Sequence, residues 1–173
     1  LERIAYNNLP ATISADMRAR QYDQQPNQVL CTVARRDWTQ NKDASNTFGL
    51  EPNFGCCTAN LHQGWPKLAA SLWMATSDGG LAAVAYGPSV VRRVVSGVEV
   101  EVNEVTDYPF GDDISFQFHL TQPVELTFSP RLPAWCPNPA LSVNGEPTPV
   151  FPTDGYARTR RVWRDGDVVT LKL

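Results

Sequence analysis

Hydrophobic positions along the chain change their spacing once, near Asp78-Gly79-Gly80. Ahead of that point they recur with helical spacing. Leu1, Ile4, Ala5 and Leu9 fall on one face, and so do Leu61, Trp65, Leu68 and Leu72. The first set predicts a helix from Leu1 to about Ile13 that Pro10 kinks or ends. The second predicts a helix from about Thr58 to Trp73, kinked by Gly64 and Pro66. Between them, Val29, Cys31 and Val33 alternate with other residues, which predicts an extended segment over 20–34. Residues 35–53 are polar and read as a surface loop.

Beyond Gly80 the period is two. Leu81 to Tyr86 is nearly all apolar, as a strand covered on both faces would be. Val98, Val100 and Val102 alternate with Glu99, Glu101 and Asn103; Ile114, Phe116, Phe118 and Leu120 alternate with Ser115, Gln117 and His119; Val124, Leu126 and Phe128 repeat the pattern. Asn144-Gly145 is a hairpin signal, and Asp154-Gly155 and Asp165-Gly166 mark turns around strands near 157–163 and 168–173. The expected fold is therefore mixed α and β: helix, extended segment and loop before about residue 75, then an antiparallel β-sandwich. The expected division is 1–76 and 77–173.

Composition narrows the function classes. The net charge is −3 with both signs interspersed, so no basic footprint for nucleic acid exists. No apolar run is long enough for a membrane-spanning helix. The chain opens on Leu1 with neither Met nor a signal-peptide pattern, as expected of a fragment or a processed chain. Cys31, Cys56, Cys57 and Cys136 are too few and too irregular for a disulfide framework, and they lack the paired knuckles of a four-cysteine zinc site. The compartment is open, with secreted or periplasmic preferred to cytoplasmic.

The densest chemistry lies in Phe54-Gly55-Cys56-Cys57-Thr58-Ala59-Asn60. Two thiols at a helix start are expected to lose their protons readily, and a thiolate is both nucleophile and metal ligand. The plainer alternative is that the cysteines pack as small hydrophobes. His62 could assist a thiol or bind metal, but a surface or core role is preferred. Glu51 could act as an acid or ligand, Trp38 could stack on a sugar, and Trp135 and Trp163 could form a binding platform. For all four a packing role is preferred, and His119 needs no special one.

Gly-Cys-Cys-x-x-Asn, preceded by Asn53-Phe54 and followed by a helix, resembles the signature of glycoside hydrolase family 127, whose founding activity is β-L-arabinofuranosidase. Leu1–Ala11, Leu132-Pro133-Ala134-Trp135-Cys136, Val143-Asn144-Gly145 and Gly155-Tyr156-Ala157 resemble further segments of that family in its order. The resemblance implies the end of an (α/α)6 catalytic barrel followed by a partial β-sandwich. It implies a retaining, zinc-dependent hydrolase acting on arabinose-containing glycans. Cys56 would be nucleophile and zinc ligand, Cys57 a ligand, Tyr22 a residue lining the sugar pocket, and Asn60 a neighbour supporting the thiols. A glutamate and a cysteine that complete the zinc site, and the acid/base glutamate, would lie upstream, so the fragment alone is expected to be inactive. Gln63 stands where many members carry arginine. The alternative is a non-catalytic β-sandwich that binds carbohydrate or packs on a partner domain.

Overall fold

The computed structural model describes residues 1–39, 41–49 and 55–173. Glu51 and Asn53-Phe54 therefore lie outside the described residues. The chain forms two compact units, Leu1–Leu68 and Ala69–Leu173.

In the first unit the N-terminal helix is shorter than expected and wound differently. A π-helical stretch, Ile4–Asn8, leads into α1 (Leu9–Ala11). Pro10 has no N–H to give, and just ahead of it the Leu9 N–H reaches five residues back to the Ile4 carbonyl. Of the predicted apolar face only Ala5 is buried, while Leu1 and Ile4 are exposed.

The second helical region is broken into α2 (Gly55–Asn60), a 3₁₀ turn (Leu61–Gln63) and α3 (Gly64–Ala69). Pro66 cannot donate to the carbonyl four residues earlier, so the ladder tightens there. A Cβ on Gly64 would stand 2.7 Å from Leu9 Cδ2, which shows how closely α1 and α3 approach.

Residues 20–34 form no strand. Val29, Cys31 and Val33 are all exposed, and no neighbouring segment pairs with them as a ladder. Local bonds take the polar groups instead. Gln28 N–H donates to Gln25 O, and the side chains of Gln21, Gln28 and Cys31 converge on Asn46 O. Asp23 ties the segment to the 35–49 loop by accepting from Thr39, from Asn41 and, at 2.8 Å, from Ser45. Burial pushes the Asp23 carboxyl up, but the three bonds outweigh it and the net shift is downward.

The second unit is strand throughout: β1 (Trp73–Ala75), β2 (Leu81–Ala83), β3 (Ser89–Val95), β4 (Val98–Thr106), β5 (Asp113–Leu120), β6 (Val124–Pro130), β7 (Ala140–Val143), β8 (Glu146–Thr148), β9 (Pro152–Thr153), β10 (Tyr156–Ala157), β11 (Thr159–Trp163) and β12 (Val168–Lys172). One sheet has the order β1-β2-β6-β11, another β3-β4-β5-β12-β7-β8, and β9 and β10 form a small ribbon. The pairing is antiparallel except that β2 runs parallel to β6, Leu81 opposite Phe128. β2 reaches β6 only after the chain has built three strands of the other sheet, and the crossover sets its direction. The β7–β8 hairpin turns on Asn144 and Gly145, both at positive φ (54° and 80°), as the tight turn requires.

Inward-facing residues of both larger sheets make one core. Phe116, Phe118, Phe128 and Trp163 are fully buried in it. Phe118 and Trp163 stack at 4.3 Å and 3°. Trp163 is thus core, as expected, but Trp135 is not. It is 53% exposed, in a turn closed by Cys136 N–H to Pro133 O, and prolines on either side keep this stretch out of the sheets. His119 is exposed on the wet face, with Nδ1 3.8 Å from Asp165.

One acid breaks the alternation. Val98, Val100 and Val102 point inward, and so does Glu104, only 1% exposed. Gly87 N–H donates to its Oε1 at 2.9 Å and the Ser89 hydroxyl to Oε2 at 3.2 Å; Trp73 Nε1 in turn donates to Ser89. Burial pushes the carboxyl up to about 7, against the pull of those two bonds. The folded state therefore holds this proton more tightly than the unfolded chain. Stability from this group is greatest below the free value of 4.5 and is lost as pH rises through about 7. Glu104→Gln keeps the shape and an acceptor for Gly87. Unfolding free energies from urea titrations are expected to fall in the parent between pH 4.5 and about 7, by up to ~1.4 kcal/mol per pH unit, and to fall less in the variant. Parallel slopes would refute this assignment.

Candidate active site

Gly55 opens α2, and the two thiols follow on its first turn. Cys56 is exposed and Cys57 half-buried. Their Sγ atoms are 3.9 Å apart, within reach of a thiol–thiol hydrogen bond and far beyond the roughly 2 Å of a disulfide. All four cysteines are free.

Burial pushes Cys57 up, the hydrogen bond and charge of the Cys56 thiol push it further, and Arg20 pulls weakly the other way. For Cys57 this corrects the expectation of a lowered value from the helix start. A helix of six residues adds up little dipole, and a second thiol beside the first opposes its charge.

Arg20 is the residue the sequence reading missed. It is only 5% exposed. Its Nε donates to Thr58 Oγ1 at 2.5 Å, on the residue after Cys57. Its guanidinium lies 5.7 Å from the centroid of the Tyr22 ring. Its backbone pairs with Gly49, Arg20 N–H to Gly49 O at 2.9 Å and the reverse at 3.1 Å. One buried cation thus joins the Tyr22 segment, the 35–49 loop and α2. Nothing in the run Arg18-Ala19-Arg20 distinguishes it from a surface arginine, so no sequence signal pointed to it.

Asn60 sits one turn after Cys56. Its Nδ2 donates to the Cys56 backbone carbonyl at 2.7 Å, and its Oδ1 accepts from Gln63 at 2.7 Å. It holds the backbone of the thiol turn rather than a thiol. His62 is exposed and lines, with Arg20, Thr58, Leu61 and Trp65, a hollow of about 340 Å3 beside α2. Trp38 is partly exposed in the loop. Among the described residues no three His, Cys, Asp or Glu side chains come together as a metal site.

The family model described as beta-L-arabinofuranosidase, GH127 middle domain, matches residues 80–173. The chain belongs to glycoside hydrolase family 127. Solved structures extend the likeness over the whole chain. A GH127 beta-L-arabinofuranosidase from Geobacillus stearothermophilus T6 aligns at 24% identity and a TM-score of 0.79, over 99% of this chain and 27% of its own. A protein described as a glycoside hydrolase aligns at 22% and 0.78, over 99% and 28%. A GH127 beta-arabinofuranosidase aligns at 23% and 0.73, over 99% and 27%. At these identities the likeness shows the fold, including that of the unit carrying the thiols. The chain spans about a quarter of the length of these solved relatives. No curated protein matches its sequence.

Proposed function

We propose that the chain forms part of a retaining glycosidase of β-L-arabinofuranosidase type, with Cys56 as nucleophile and arabinose-containing glycans as substrate. The observation that carries this reading is the thiol pair itself: two free Sγ atoms 3.9 Å apart on one helical turn, in a member of this family. Two thiolates at about 2.3 Å from one tetrahedral zinc ion stand about 3.8 Å apart, so the observed separation suits a shared ion. Cys56 and Cys57 would be two of its ligands, the others coming from parts of the enzyme outside this chain. Bound zinc would keep both thiols deprotonated, overriding the upward push on Cys57.

In the reaction, Cys56 Sγ attacks the anomeric carbon as the glycosidic C–O bond breaks, and the leaving oxygen takes a proton from an acid outside the chain. Water, giving its proton back to that same acid, then displaces the sulfur as a thiolate and returns the sugar with its configuration retained. Gly55 adds no side chain just ahead of Cys56. Tyr22 would line the sugar pocket, a reading supported by Arg20, which stands by the Tyr22 ring and donates to Thr58 next to the thiols. Asn60 supports the thiol turn from its carbonyl side. The helices of the first unit would be the end of a helical barrel. The non-catalytic reading has less support: Trp163 is buried and Trp135 stands in a turn, so the two form no platform.

A mechanism-based arabinofuranoside that traps the glycosyl intermediate tests this in the enzyme carrying the chain. The expected result is one sugar per protein, mapped by peptide mass spectrometry to Cys56. An adduct on Cys57 or on a carboxylate would overturn the assignment.

A further inference from the structure

A cleft of about 500 Å3 in the first unit has an unusual lining. Seven of its twelve residues are Asn or Gln, and none carries a charge. Asn7 and Asn8 at the end of the π-helical stretch form one side, and the turn from Gln24 to Gln28 forms another. Phe48, 44% exposed, adds an aromatic surface. Gln21 is 7% exposed and fixed by donating to Asn46 O and, at 3.2 Å, to Gln28 Oε1. Its own Oε1 receives no hydrogen bond among the described residues. Cys56, Cys57, Tyr22 and Asn60 take no part in the lining.

Each amide offers two donors and an acceptor in one plane. Neighbouring hydroxyls of a sugar, which both donate and accept, match that pattern. A phosphate or carboxylate does not: entering the cleft would strip its water with no countercharge to replace it. The volume falls within the roughly 300–1,000 Å3 of small-ligand sites, and Phe48 can cover the apolar C–H face of a ring. We propose that this cleft binds a neutral saccharide through amide–hydroxyl hydrogen bonds and excludes acidic sugars. The site goes beyond the thiol chemistry proposed above and does not depend on it. Because the lining holds no carboxylate, imidazole, ammonium or guanidinium group, binding is expected to be independent of pH between 5 and 8.

The test is a titration of 15N-labelled protein with arabinotriose and, in parallel, with trigalacturonate, read on the side-chain amide resonances. Arabinotriose is expected to shift cleft Asn and Gln signals saturably, equally at pH 5 and 8, while trigalacturonate leaves them in place. Asn8 and Gln24 are exposed and enter no side-chain hydrogen bond among the described residues. Asn8→Ala combined with Gln24→Ala should therefore leave the backbone spectrum intact and weaken binding at least tenfold. Cys56→Ser should leave the affinity within twofold, so binding that persists without turnover separates this site from the nucleophile assignment. The proposal is overturned by an absence of shifts, by equal binding of trigalacturonate, by unchanged affinity in the double variant, or by loss of binding in Cys56→Ser.

Discussion

Cys56→Ser is expected to lower glycoside turnover by at least ~10⁴-fold in the enzyme carrying this chain, on the scale seen when other enzymes lose a nucleophile. Serine preserves the shape, but its hydroxyl holds its proton far above neutrality and binds zinc poorly. On the proposed assignment both the attack and part of the metal grip would therefore go with one atom. On that same assignment, Cys57→Ser would remove only a ligand. Its loss should show first as lower zinc content, and excess zinc should restore part of the rate, because affinity rather than the reacting atom has been damaged. The two thiols already differ in the protein: Cys56 is exposed, while Cys57 is half-buried and burial pushes its thiol up from the ordinary value. Initial rates on an aryl arabinofuranoside, with and without added zinc, distinguish the roles. Zinc rescue of Cys56→Ser, or equal and unrescued losses in both variants, would show that the roles are misassigned.

What could be read from the sequence depended on whether a residue's surroundings are local. The alternation of Ile114, Phe116, Phe118 and Leu120 needs only one wet face and one dry face, and β5 follows it residue by residue. The Asn144-Gly145 turn is equally local, since its backbone demand falls on those two residues. Glu104 was legible in principle: it stands in the inward register of Val98, Val100 and Val102, where an acid is out of place. What made it tolerable, the Gly87 N–H and the Ser89 hydroxyl, lies on a different strand and turn. The parallel pairing of β2 with β6 and the burial of Arg20 depend on partners 38 to 47 residues away, which no spacing rule encodes. Over 20–34 the alternation was real but had no strand to pair with, and side-chain bonds to Asn46 O settled the backbone instead. At the candidate site the pair Cys56-Cys57 was evident at once, whereas the upward push on Cys57 arises from its packing and from the neighbouring thiol.

Trp163→Ala is expected to destabilise the second unit by roughly 3–5 kcal/mol, the range for large aromatic truncations in a packed core. Trp163 lies on β11 and Phe118 on β5, so their stack at 4.3 Å runs from one sheet to the other. Phe128 meets both rings edge-on, at 5.3 Å from Phe118 and 6.1 Å from Trp163. The Arg161 guanidinium stands 5.1 Å from the Trp163 ring centroid. Trp163 Nε1 also donates to Leu126 O at 3.0 Å, tying β11 to β6 through a side chain as well as the ladder. Trp163→Phe keeps a ring against Phe118 and loses that bond, so it should cost less, about 1–2 kcal/mol. Phe118→Ala tests the other half of the stack. Once either ring is gone the remaining one has lost its partner, so the double variant should fall short of the sum by about 0.5–1.5 kcal/mol. Urea unfolding followed by circular dichroism gives all four values, and Trp163→Phe supplies the measurement if Trp163→Ala proves too unstable to fold. Full additivity of the two alanine variants, or a Trp163→Phe loss as large as that of Trp163→Ala, would mean that the sheets are held together by something other than this stack.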